Sequence, residues 1–216
     1  LLAAIDGKSF PQFTRPGNPI TQLSGTPGEY ILAGGQFDHF YHHNYDPHRL
    51  AALRRFLAEC RPDVIHVHHS VQVGLEFLEL ARTMAPKATI LYTLHEYIPI
   101  CAANGQLYRH HEKAICTDTS PDQCVRCVSG RTLDEVALRA RGFKRHFGVV
   151  DQFIAPSEHL RQRYIAWGIE PNRTASPPSP TATSASGRKA GPRSIPAGRR
   201  NSASSASTSM PRASIF

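Results

Sequence analysis

Apolar residues recur along this chain in two alternating rhythms. Tyr30 to Ala33 is a short apolar run that stops at Gly34-Gly35 and predicts a strand. Asp46 then stands as a good helix N-cap, with Pro47 at the first helical position and Leu50, Leu53 and Leu57 at helical spacing up to Cys60. After Arg61-Pro62 the rhythm shortens: Asp63-Val64-Ile65-His66-Val67-His68-His69 is a β-branched run of the kind found in buried parallel strands. A helix is expected from about Gly74 to Met84, with Leu75, Leu78 and Met84 inward, followed by a buried strand from Ala88 to Leu94 that ends in His95-Glu96. A basic helical segment spans roughly Thr132 to Phe147. Phe153-Ile154-Ala155 predicts a strand, Pro156 breaks it, and Ser157 caps a helix carrying Leu160, Tyr164 and Ile165 that stops at Gly168. Strand and helix alternate, so the fold class is α/β, a doubly wound and mostly parallel sheet.

The two ends lack this order. Residues 1–28 are dense in Pro, Gly, Thr and Ser and read as loop. From Thr174 onward, Ser, Ala, Pro, Thr, Gly, Arg and Lys make up almost the whole segment, so 174–216 reads as a disordered tail unable to build a core. The expected organisation is therefore 1–28 loop-rich, 29–173 folded with a Cys-rich loop at 97–131, and 174–216 tail. Composition sharpens this division. The net charge of +8 suggests nucleic acid as a partner, but six basic and no acidic residues fall in the tail, leaving the preceding residues nearly balanced. With no aromatic and basic interleaving either, no nucleic-acid partner is expected. No apolar run is long enough to span a bilayer and Leu1 to Ile5 is too short for a signal-peptide core, so the body reads as cytoplasmic.

In an open α/β sheet, ligands bind beyond the carboxyl ends of the strands. His68 and His69 close one predicted strand and His95-Glu96 closes the next, so the fold brings them to one edge. An imidazole there can accept or donate a proton near neutral pH, and an adjacent carboxylate can orient it. His95 and Glu96 are the candidate catalytic pair. His68 and His69 fit a substrate-binding role or a packed, structural one equally. His66 is expected to point the other way within its strand and to be structural. His39, His42 and His43, with Phe40, Tyr41 and Tyr45, form an aromatic and imidazole cluster that suits either a groove lining or a partly exposed loop.

Cys124-Val125-Arg126-Cys127 is a C-x-x-C pair, with Cys116 and Cys101 upstream on the same long loop. That pair can reach one tetrahedral zinc, and the other two sulfurs could complete a four-sulfur structural site with no open position for catalysis. Free thiols fit the spacing as well, because only one of the two expected close pairs is present.

Taken in series, Pro62 to His69, Tyr92-Thr93-Leu94-His95-Glu96-Tyr97, the cysteines from Cys101 to Cys127, and Phe153 to Ser157 with Gly168-Ile169 resemble the N-terminal half of a family-4 glycosyltransferase. The resemblance runs from about Tyr30 to Arg173. It implies a Rossmann-like domain that is one of two facing across a cleft (the GT-B arrangement). The acceptor would lie mainly on this domain and a nucleotide-sugar donor mainly on a C-terminal one, with retention of anomeric configuration and no cofactor for catalysis. It places His95 against sugar or acceptor and Glu96 beside it, and the candidate substrate-binding residues are His68, His69 and Tyr97. It further implies a glycan or lipid-linked acceptor in surface polysaccharide or glycolipid synthesis, at the inner face of the membrane with peripheral contact. The likeness stops after Arg173, which fits a shifted reading frame better than an authentic basic tail, so the chain is expected to lack the donor domain and to be inactive alone. The competing reading is a non-catalytic, zinc-containing module that binds nucleic acid or a small ligand.

Overall fold

The structure is a computed structural model that describes residues 1–14, 17–117 and 119–176. In chain order the elements are β1 (Leu2–Ile5), β2 (Ile20–Gln22), β3 (Tyr30–Ala33), a hairpin of β4 (Phe37–Asp38) and β5 (His43–Asn44), α1 (Pro47–Cys60), β6 (Val64–Val67), α2 (Glu76–Met84) and β7 (Thr89–Thr93). There follow a hairpin of β8 (Tyr108–Arg109) and β9 (Ala114–Ile115), α3 (Pro121–Cys124), α4 (Leu133–Phe147), β10 (Gln152–Ile154), α5 (Glu158–Trp167) and β11 (Thr174–Ala175).

The apolar runs around Ile65, Ile90 and Phe153 become adjacent parallel strands of a four-stranded sheet, ordered β11-β10-β7-β6. Its register pairs Val67 with Tyr92 and Tyr92 with Phe153, so β6, β7 and β10 end close together. The helices start and stop where short-range chemistry says they should. The Asp46 carboxylate accepts from the His48 amide at α1, Thr132 and Glu135 form a capping box on α4, and Gly168 ends α5 in the left-handed region at φ 116°. Leu53, Leu57, Ile65, Leu78, Ile90 and Phe153 then pack into one shared core.

The fold departs from a single doubly wound sheet. Leu2–Ile5, inside the stretch that reads as loop, is a strand parallel to β3, and Ile20–Gln22 pairs antiparallel with β3 on its other side. These three strands form a second sheet, ordered β1-β3-β2. A four-residue strand made by pairing with a segment 28 positions away leaves little trace in local composition. At the other end, Thr174 and Ala175 are not tail but the edge strand β11, with Thr174 buried. The rest of the expected tail, 177–216, lies outside the described residues.

Three arginines fasten the connections. Arg82 on α2 reaches Asp151 at 2.6 Å and the Ala88 carbonyl at 2.9 Å, while Asp151 accepts the Ile90 amide, so α2, β7 and β10 meet at one carboxylate. Arg49, 1% exposed, donates to the carbonyls of Gly34 and Gln72. Arg139 on α4 donates to the carbonyls of Phe40 at 2.8 Å, Pro99 at 3.2 Å and Ile98, tying the β4–β5 hairpin and the segment after β7 to one helix. Replacing Arg139 by Met leaves three carbonyls without their donor and should cost about 2–3 kcal/mol in denaturant unfolding. Arg139→Lys should recover less than half of that loss, since an ammonium cannot reproduce the guanidinium fork.

Candidate functional site

The β6–β7 register carries the imidazoles to one edge. His68 and His69 follow β6, His95 and Glu96 follow β7, and His68 Nδ1 stands 2.8 Å from His95 Nε2, so one ring donates its N–H to the other. The His95 ring stacks on both His68 and His69, with centroids 5.1 and 4.9 Å away. His69 Nδ1 lies 3.5 Å from the Glu96 carboxylate. Of the candidate residues, His68, His69, His95 and Glu96 thus meet in one cluster. Tyr97 does not join it; its ring faces His159 at 6.4 Å, and its carbonyl accepts the amides of Ile100 and Cys101.

His66 corrects an expectation. It does not turn away from the edge. Residues two apart in a strand share a face, and the His66 ring lies 4.2 Å from that of His68, with Nε2 bonded to Thr93 Oγ1 at 2.7 Å. The cluster therefore runs over four imidazoles, His66, His68, His95 and His69.

Electrostatics set what these rings can do. Desolvation lowers the pKa of His66, His68 and His95 below the usual histidine range, and neighbouring imidazoles lower them further, while Glu96 pulls His95 back up. Near neutral pH these three rings are uncharged. They can donate and accept hydrogen bonds with hydroxyls, and accept a proton, but they do not supply the cations that hold a phosphate. A cavity of about 220 Å³ opens beside His68 and His69, which line it together with Leu2, Val67, Val71, Val73 and Phe77.

Composition gave no hint of several supporting groups. His42 is buried, its Nδ1 2.9 Å from Ser70 Oγ, and Ser70 in turn hydrogen-bonds the buried Tyr92 hydroxyl, whose pKa burial pushes up to about 12. The Tyr164 hydroxyl on α5 donates to the Glu96 carbonyl at 2.7 Å and pins the backbone beside His95. The aromatic and imidazole cluster at 39–45 divides: His42 is enclosed between Phe37 and Phe143, whereas Tyr45 is exposed.

The four cysteines of the 97–131 loop also come together. Cys101, Cys116, Cys124 and Cys127 line one small cavity, and burial with the neighbouring thiols pushes Cys124 up to about 11. Among the described residues, no group of three or more His, Cys, Asp or Glu side chains is already arranged around a metal-sized point.

A parallel four-stranded sheet flanked by helices, with an imidazole cluster at its carboxyl edge, defines a mixed α/β protein. The sequence model for Glycosyltransferase Family 4 matches residues 20–176, and the chain belongs to that family. Membership carries glycosyltransferase activity in general, with a sugar donor and an acceptor as substrates. No curated protein and no solved structure gives a significant match. Among the described residues, no helix is long and apolar enough to cross a membrane.

The buried histidine generates a pH prediction. Desolvation and Arg139 lower the His42 pKa from 6.5 to about 3. The unfolded chain therefore binds a proton that the folded chain refuses. Stability is full above the unfolded value and is lost as pH falls from about 6.5 toward about 3, at ~1.4 kcal/mol per pH unit for this one group. The slope for His42→Asn should be shallower than that of the unsubstituted protein by about this amount in urea unfolding at stepped pH.

Proposed function

We propose that this chain is the acceptor-side half of a retaining glycosyltransferase with two facing Rossmann-like domains, and that the acceptor sits at the His68–His95 edge. The second domain would hold most of a nucleotide-sugar donor. The acceptor is a glycan or lipid-linked glycan, which suits work at the cytoplasmic face of a membrane. One observation carries the reading: the parallel register brings two strand-end turns together so that His68 and His95 are bonded at 2.8 Å beside an open cavity.

Neutral imidazoles suit this role, because a sugar hydroxyl both donates and accepts. His95 would hold or deprotonate the acceptor hydroxyl, Glu96 would set the orientation of His69, and His68 would fix the His95 ring by their shared proton. The departing nucleotide's charge needs cations, and the cluster does not offer them, which is consistent with a donor bound mainly elsewhere. A nucleic-acid module is disfavoured by the family and by the near-balanced charge of residues 1–173.

The test is histidine-selective NMR during titration with mono- and oligosaccharides. Saccharides should shift the resonances of His68, His69 and His95 and leave His42 and His146 unmoved; shifts confined to other residues, or none, would overturn the assignment. Binding should hold from neutral pH upward and weaken on acidification, as protonation of the lowered-pKa rings breaks the His68–His95 bond. In sugar-transfer assays of a form that also carries the donor domain, His95→Ala should slow turnover by at least roughly a hundredfold with unchanged melting. Near-normal rates would make His95 structural.

A further inference from the structure

The excursion between β7 and α4 is built from three separate pieces, and each delivers cysteine to the same place. Cys101 sits on the turns after β7, its amide bonded to the Tyr97 carbonyl at 2.7 Å. Cys116 follows the β8–β9 hairpin, its amide bonded to the Leu107 carbonyl at 2.7 Å. Cys124 ends α3 and Cys127 ends the 3-10 turn that continues it. Four side chains scattered over 27 positions converge on a cavity of about 10 Å³, room for a single small ion.

Packing alone gives this segment little reason to fold. Within 97–131 the buried hydrophobic residues are Ile100, Leu107, Cys101 and Cys116, and Ile115 stands 78% exposed. The backbone also carries strain: Leu107 and Lys113 have φ of 47° and 53°, in the left-handed region that side chains other than Gly, Asn and Asp seldom adopt. A cross-link at the shared cavity would offset that cost.

We propose that Cys101, Cys116, Cys124 and Cys127 form a closed, tetrahedral, structural zinc site. As the ion binds, each thiol gives its proton to solvent and each thiolate donates a lone pair. Side-chain rotation brings the sulfurs to about 2.3 Å from the metal. Four thiolates and one divalent cation carry a net charge of −2, and cations stand ready for it. Arg109 lies against the Cys116 sulfur, Arg139 is near Cys124, and Arg163 holds the Cys116 carbonyl at 3.1 Å. The site is distinct from the imidazole crevice and independent of the sugar-transfer reading.

The experiment uses the full 216-residue chain made with zinc in the medium. Elemental analysis should find about one zinc per chain, and a thiol reagent should modify Cys60 alone until a chelator strips the metal. Cys60→Ser should keep the zinc; the double variant Cys124→Ser, Cys127→Ser should lose it. Because that variant could unfold, cobalt is exchanged into the unsubstituted protein. The expected result is sulfur-to-cobalt charge transfer with tetrahedral d–d bands. Metal-free protein with five reactive thiols, a Cys124–Cys127 disulfide, iron with acid-labile sulfide, or cobalt without sulfur charge transfer would each overturn the proposal.

Discussion

A guanidinium buried in α4 governs how the carboxyl edge of the sheet is assembled. Arg139 is 4% exposed, and its partners are carbonyls on two connections remote in sequence, at Phe40 and at Ile98-Pro99. Burial pulls its pKa down to about 10, which leaves it a cation at neutral pH. The cost of desolvating that charge is offset by three carbonyl dipoles and by the faces of Phe143 and Phe40, 4.7 and 5.6 Å from the guanidinium carbon. The loop carrying Tyr97, the hairpin enclosing His42 and the turn presenting Cys101 all depend on this anchor. A conformational error at α4 would release both connections at once.

Legibility in the sequence follows the range of the interactions involved. The starts of α1, α4 and α5 were readable because Asp46, Thr132 with Glu135, and Ser157 act on amides two or three residues ahead. The strand-end histidines were readable because the β-branched runs before them fix β6 and β7, and parallel strands end on one side. β1 and β2 were not, since both exist only through pairing with β3. His66 shares a face with His68, because residues two apart along a strand point the same way. Arg139 looks like one more solvated charge on a basic helix. The available clue was its position on the Val136–Phe143 apolar stripe, three residues after one and four before the other.

The crevice and the cysteine loop represent two ways of holding polar side chains together. At the crevice, desolvation and the neighbouring imidazoles lower the His68 and His95 pKa values, so these two rings sit within hydrogen-bond reach without charge repulsion. In the loop, burial and the neighbouring thiols raise Cys124 and Cys127 above the usual thiol value, which favours their protonated form, and a bound cation would draw the four sulfurs into one site. One arrangement is suited to chemistry and the other to architecture, though both depend on segments that leave β7.

The cavity beside His68 has a consequence for orientation. Leu2, Val67, Val71, Val73 and Phe77 line it with aliphatic and aromatic surface, and His68 and His69 add imidazole. A pyranose ring is divided in the same way, with C–H bonds clustered on its faces and hydroxyls around its perimeter. On the acceptor reading proposed above, water against such a lining finds few partners, so a ring laid on it would release that water and gain ~25 cal/mol for each square ångström of apolar surface covered, leaving its hydroxyls for the histidines. A fully polar or phosphorylated molecule would leave the apolar lining wet, so the cavity would favour two-sided guests.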